Sequence, residues 1–525
     1  MSGQFARLIG IAILPSYLAV TILIGWVSKR RHSRANDFLN ASRSLPLWVV
    51  VAAFLSANCG ALEIVGLSAV AAQYGAQAFH FYWVGAIPGM IFLAGVMIPL
   101  YMRSGVQSLP EYLEKRFDAR VRLLNSWLVL ATGTALGGIG LYAMAQVIYV
   151  VFGWPFTGSV VLAATVVLIY ASLGGLRATI YNEVFQLLVI VLGLAPLLYR
   201  MATVPHSDSS RSGTHWHLWS GLPMISPHAS LDQYGVIIGL GFVLSCSYWC
   251  TDFVLIQRAL TAKTIGSGQL VPLLAGFGKL GFSILVVVPA LGAAAILGRR
   301  MTVSFDQVLP ALMVASYGPA LLGLGMTALL ASLMSGLAAN VSAFSAVWTE
   351  EIYRKSIRRG ASEEHYIRMG RISVVVAIAL SIATSYLAFF FHDLMEYVQL
   401  LFSLFGAPFF AIFLMGTFTR RATSQGAIAG LVSGVTVAIV HHGMVAAGWL
   451  VYGSLMSANF YVATFAFGTA LGVGLICSTG TETARSDQFI AKLRQGNRPT
   501  RRSLTWWILA AFLLTTCAFL NYLWR

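Results

Sequence analysis

The chain has 525 residues, 58% hydrophobic and 10% charged, with a formal net charge of +16 and a mean hydropathy of +0.77. That composition excludes a soluble globular protein and describes a polytopic, all-α membrane protein. The positive charge invites a nucleic-acid reading, but its placement fits membrane orientation better, so a lipid bilayer and no nucleic acid is the expected partner.

About fourteen apolar spans follow one another, near 10–28, 46–70, 79–101, 123–152, 155–173, 178–200, 234–256, 269–297, 316–349, 370–391, 394–418, 424–447, 453–478 and 504–523. A helix crosses the hydrocarbon core in roughly 20 residues. With the N-terminus outside and the spans alternating, 27 of the 34 Lys and Arg fall in inside loops, six outside, and only Lys279 within a span. This positive-inside pattern predicts a multi-pass protein of the plasma or inner membrane with both termini outside. The first span is read as a helix, not a signal peptide, because its basic cluster (Lys29, Arg30, Arg31, Arg34) follows the apolar run.

The span 46–70 carries Ser56-Ala57-Asn58-Cys59-Gly60-Ala61-Leu62-Glu63-Ile64-Val65-Gly66 near mid-depth. Glycine costs a helix about 1 kcal/mol relative to alanine, and carbonyls freed in a membrane are tolerated where they line a site. A glutamate at that depth marks function by default. The stretch therefore reads as a broken helix that binds an ion and a solute. The competing reading is a glycine-kinked packing helix with Glu63 paired structurally.

Next come a span with His80, Tyr82 and Trp83, then an inside amphipathic helix, Ser108–Phe117, with Pro110 in its first turn. Gly174-Gly175 suits a tight inside turn. Glu183 sits about one turn into the following span, as a functional acid or an interfacial one. The outside loop 202–233 holds His215-Trp216-His217; two histidines without a fixed third ligand read as solvated.

A second polar cluster, Ser245-Cys246-Ser247-Tyr248-Trp249-Cys250-Thr251-Asp252, interrupts the span 234–256. The two interrupted spans run in opposite directions, and each opens a set of five. Residues 46–201 and 234–419 thus form two inverted repeats, with 10–28 as an extra N-terminal helix and 424–523 as peripheral helices, in a single transporter domain. Lys279 lies about ten residues into its span, a placement costing about 2.5–3.5 kcal/mol on insertion scales. Glu63 and Asp252 are its candidate partners. Ser332 and Ser335, three apart, share a helix face and offer hard oxygens to a small monovalent cation. Small residues that pack helices are the alternative there. Gln399 places an uncharged amide in a span. The five cysteines (Cys59, Cys246, Cys250, Cys477, Cys517) show no metal spacing and read as free, packed thiols.

These stretches together, with Asp37–Pro46, Gln257-Arg258, Lys263, Thr349–Tyr353 and Tyr397–Gln399, resemble the solute:sodium symporter family, and within it the sodium/glucose cotransporters. The resemblance implies a LeuT-type five-plus-five inverted-repeat core and alternating access. It implies a sodium site made by the carbonyls of Ser56 and Cys59 and the hydroxyls of Ser332 and Ser335. One departure touches that site: relatives place a second Ser or Thr where this chain has Gly336.

For the solute the resemblance implies Asn58, Ser245, Tyr248, Trp249, Lys279 and Gln399, with Tyr248 as the inner gate. The family's sugar-binding glutamate is Tyr82 here, while Glu63 replaces a Gln or His. The expectation is that Glu63 and Lys279 bracket a polyhydroxylated solute and Tyr82 stacks on it. Glu183 stands where the family has an aspartate linked to cation coupling. With Asp252 it is a candidate coupling residue, since each carboxylate is able to carry a proton.

The reading is a sodium-coupled symporter of a small polar solute, a sugar or polyol, acting as a monomer or weak homo-oligomer. The only coupling partner expected is Na+, with no organic cofactor. The alternatives are a solute sensor with little transport, which Gly336 favours, and a symporter of a non-sugar organic solute with weak or proton coupling, which Tyr82 favours. No phosphate loop points to a pump, and no His-Glu or Ser-His cluster gathers in one span to make an enzyme.

Overall fold

The computed structural model describes residues 3–29, 45–60, 62–106, 108–203, 217–219, 231–297, 303–478 and 502–524. The Asp37 end of the first matched stretch, and His215 and Trp216 of the outer loop, lie outside them. Among the described residues the regular elements are helical, and a single isolated bridge joins Leu45 to Ala262.

In chain order the main helices are α1 (Gly3–Lys29), α2 (Leu47–Asn58), α3 (Leu67–Tyr74), α4 (Phe79–Tyr82), α5 (Ile87–Phe92), α6 (Ile98–Ser104), α7 (Leu109–Arg116), α8 (Ala119–Phe152) and α9 (Phe156–Thr203). They continue with α10 (Ser245–Thr251), α11 (Phe253–Ala259), α12 (Ile265–Leu291), α13 (Val308–Ser316), α14 (Pro319–Ala346) and α15 (Glu363–Ser385). The last are α16 (Leu394–Leu401), α17 (Ala407–Phe418), α18 (Ser424–Ala446), α19 (Leu455–Ile476) and α20 (Arg502–Leu523).

Ten described helices are long and apolar enough to cross a membrane, or eleven with the bent pair Gly235–Thr251 and Phe253–Ala259 taken as one span. This is fewer than the fourteen expected. At the first break Leu47–Asn58 is apolar but too short alone, and Leu62–Ser104 runs as one apolar stretch across parts of two expected spans. The helical backbone runs on through Gly174 and Gly175, where a tight turn was expected, within the single element α9.

Two breaks organise the centre. At the end of α2, the Gly60 N–H turns back to the Asn58 carbonyl at 2.9 Å. An unbroken helix would have sent it to the Ser56 carbonyl four residues earlier, so that carbonyl is freed. A π-helical segment, Leu62–Gly66, then restarts the helix. Packing at Gly60 is also close: a Cβ there would lie 3.3 Å from the Gly336 Cα. The second break is at Asp252, whose extended backbone (φ −67°, ψ 120°) separates α10 from α11. The two halves bend by 57°, and the Asp252 carboxylate caps α11 by accepting the Leu255 N–H at 3.0 Å.

Helix α14 is the buried axis. It packs against α9, α8 and α1, and Gly323 lets it meet α1 backbone to backbone at Gly10. At one end of the molecule, α7 starts on its cap Ser108, which accepts the Glu111 N–H, as the amphipathic reading expects. Buried Arg116 donates to the carbonyls of Gly416 in the last turn of α17 and of Thr419 and Ala422 just beyond it. Glu114 pairs with Arg122 at 3.1 Å and with Lys355 at 3.0 Å. Basic segments around 103–122, 354–371 and 420–421 are thereby gathered at one end.

Candidate functional site

The restarted helix after the first break carries Glu63 into the interior. Its carboxylate lies 2.6 Å from the Lys279 ammonium on α12, with side-chain exposures of 14% and 1%. Of the two partners considered from sequence, Lys279 takes Glu63. The ammonium also sits 4.9 Å from the centre of the Tyr82 ring and 5.5 Å from that of Trp249, close enough for cation–π attraction. Tyr82 donates its hydroxyl to the Glu63 carbonyl at 2.7 Å.

Beside this pair lies a cavity of about 520 Å³, lined by Glu63, Ser245, Tyr248, Trp249 and Gln399 with Phe81 and Phe402. Lys279 and Tyr82 stand behind this wall, so the expected stacking of Tyr82 on a solute is not what the geometry offers; Tyr82 stacks on Lys279 and orients Glu63. Buried Ser245 Oγ and Gln399 Oε1, with Asn58 Oδ1 nearby, have no hydrogen-bond partner in the protein. Unpartnered buried acceptors of this kind cost about 1–3 kcal/mol each and mark a place where a ligand supplies the donors.

Tyr248 divides the interior. Its phenolic oxygen accepts from the Asn58 amide at 2.5 Å, and its ring packs tilted against Phe402 at 5.3 Å. Tyr248 and Phe402 line the cavity above and also a second cavity of about 640 Å³. The second holds Asn125, Asp252 and Asn340. A third, about 530 Å³, reaches from Asn58 and Tyr248 to Gly60 and Gly336.

The freed carbonyls of the first break face α14. Ser332 donates to the Cys59 carbonyl at 2.5 Å, and the Ser335 hydroxyl lies 3.4 Å from the Ser56 carbonyl. Ser56, Cys59, Ser332 and Ser335 are all fully buried. Neutral oxygens without a carboxylate suit a monovalent hard cation. The four residues expected from sequence are brought together.

Glu183 is fully buried on α9 and pairs with Arg258 of α11 at 2.7 Å; both side chains have zero exposure. Sequence reasoning left Arg258 in an inside loop and did not include it among the site residues. The available signal was an arginine just past a broken helix with an unmatched acid on another span. Asn125 and Asn340, polar residues of the lower cavity, were likewise missed. Cys477 is exposed, unlike the packed thiol expected, while the other four cysteines are buried and all five are free.

The model of the sodium:solute symporter family matches residues 38–434. The chain belongs to that family, and it is a secondary active transporter in which a small polar solute moves with sodium. The sodium/glucose cotransporter of Vibrio parahaemolyticus is 26% identical to it, over 82% of this chain and 84% of that one. The sodium/mannose cotransporter SLC5A10 of Bos taurus is 28% identical, over 83% and 79%. A solved structure, the substrate-bound outward-open state of a Na+-coupled sialic acid symporter, matches with a TM-score of 0.77 at 18% identity, covering 90% of this chain and 98% of that one. That likeness shows the fold, a LeuT-type five-plus-five helical core in a multi-pass membrane protein.

Proposed function

We propose that the chain carries a sugar or polyol together with Na+ by alternating access. The observation that carries this reading is the cavity beside Glu63, where a carboxylate, the Ser245 hydroxyl and the Gln399 carbonyl oxygen face a space walled by Phe81, Trp249 and Phe402. A polyhydroxylated solute brings donors to those acceptors and an apolar ring face to the aromatics. A carboxylate solute would face Glu63 with the Lys279 charge turned away, which disfavours an organic acid.

In this reading Asn58, Glu63, Ser245, Tyr248, Trp249 and Gln399 touch or gate the solute, while Tyr82 and Lys279 hold Glu63 in place. Na+ sits among Ser56, Cys59, Ser332 and Ser335. Glu183, through Arg258, and Asp252, through its cap on α11, couple the second broken helix to the rest. The repeats are 46–201 and 234–419, and both termini face outward from a plasma or inner membrane.

The test is uptake of labelled sugars and polyols into proteoliposomes under an inward Na+ gradient or equal K+. Sodium-dependent accumulation supports the reading. Equilibration without accumulation means sodium coupling is lost. No uptake of any sugar by folded protein moves the assignment to a sensor or a non-sugar solute.

A further inference from the structure

The cation pocket supplies four oxygens from the residues above: two carbonyls and two hydroxyls. Hard cations of about calcium's radius, which sodium shares, gather roughly six or more oxygens at about 2.4 Å. Gly336, next to Ser335, has no side chain to add, and it borders open cavity space. A further protein oxygen is nonetheless present.

We propose that the hydroxyl of Ser56, and not its carbonyl alone, is a cation ligand, so that this one residue grips the ion twice. The inference rests on the sodium reading of this pocket. Ser56 is fully buried, and its Oγ lies 3.4 Å from the Ser335 Oγ. Ser335 Oγ is in turn 3.4 Å from the Ser56 carbonyl. Hydroxyl hydrogen bonds between oxygens run about 2.5–3.0 Å, so both spacings are long for a hydrogen bond. They match two ligands at right angles about a common ion, which at about 2.4 Å from each would stand roughly 3.4 Å apart.

The direction of the Ser56 side chain supports this. Ser345 and Ser381 reach across to the carbonyls of Gly370 and Thr134, whereas several other buried helix serines give their hydroxyls to a carbonyl one turn back: Ser68 to Ile64 at 2.5 Å, Ser126 to Arg122 at 2.9 Å and Ser283 to Leu280 at 2.7 Å. Ser56 instead turns across to α14, where the freed carbonyls converge. Polar groups on both sides of the break then form one neutral oxygen cluster.

The experiment is thermal unfolding of the purified full-length protein titrated with Na+ against choline. The wild type should be stabilised with a saturable Na+ dependence. Ser56→Ala should need at least tenfold more Na+ for half the shift while melting like the wild type in choline. Adding Gly336→Ser to Ser56→Ala should recover part of the loss by supplying a hydroxyl from the neighbouring position. Ser56→Cys, which keeps the shape but offers a soft sulfur, should show the same right shift and serves if the alanine variant does not fold. A wild type without any Na+-specific shift would sink the sodium reading itself. A wild-type shift that Ser56→Ala or Ser56→Cys reproduces at unchanged Na+ would overturn the Ser56 proposal alone.

Discussion

The amide of Asn58, at the first helix break, donates to the phenolic oxygen of Tyr248, beside the second, at 2.5 Å. One hydrogen bond therefore joins the two discontinuous helices at the floor of the solute cavity. Such a bond contributes about 0.5–1.5 kcal/mol net, small enough to break in each cycle. Tyr248→Phe removes it while keeping the ring against Phe402. The expected result is a several-fold faster sodium-independent equilibration of solute in proteoliposomes, with weaker accumulation under a Na+ gradient.

Glu63→Gln leaves the Lys279 ammonium buried without its carboxylate. Breaking a buried pair on one side costs about 3–5 kcal/mol, and here it also disturbs the cavity wall. Solute uptake should fall at least tenfold, while the Na+-dependent thermal shift of the protein persists. Normal uptake by the variant would show that the carboxylate faces no solute.

The Glu183–Arg258 pair ties α9 to α11 with both side chains at zero exposure. Glu183→Leu should lower the unfolding midpoint clearly, because it strands a guanidinium in the interior. Glu183→Leu with Arg258→Leu should recover most of that loss, since well-packed apolar replacements of buried ion pairs are often neutral. Thermal melts of the two single variants and the double variant read the coupling directly. If the double variant nevertheless transports without sodium dependence, the pair serves coupling and not stability.

Asp306, just before α13, is buried and accepts the Leu394 N–H at 3.2 Å. Burial and the neighbouring charge of Asp393 push its carboxyl up to about 7. In the unfolded chain the value returns to about 3.9. Between those values the folded protein holds a proton that the unfolded chain has released, so stability from this group falls as pH rises from about 4 to about 7. Asp306→Asn keeps an acceptor for Leu394 and removes that fall. Its melting temperature should exceed the wild type's at pH 8, with the advantage shrinking at pH 5.

The broken helix at Ser56–Gly66 was legible because glycine, asparagine and glutamate at mid-span have few physical explanations in a bilayer. The grouping of Ser332 and Ser335 opposite the freed carbonyls was legible for the same reason: spacing of three puts both on one face. What escaped were properties set by tertiary contact. Tyr82 was expected to face solute, but its orientation depends on Lys279 and the Glu63 carbonyl, which no local pattern encodes. Arg258 reads as one more inside positive charge until α9 brings Glu183 against it. Hydropathy also does not register where a helix is cut: α2 ends after twelve residues, at Asn58, inside a span that reads as continuous.

The Glu63–Lys279 pair cancels the charge of the solute chamber. A neutral sugar passing beside it is electrically silent, and with one Na+ per cycle the current is one elementary charge. At 100 mV that charge is worth about 2.3 kcal/mol, enough by itself to hold roughly a fortyfold concentration ratio of solute. The membrane voltage contributes that ratio through the cation alone, and an inward Na+ concentration gradient multiplies it. An amine in the same chamber would double the driving charge, and a carboxylate would cancel it.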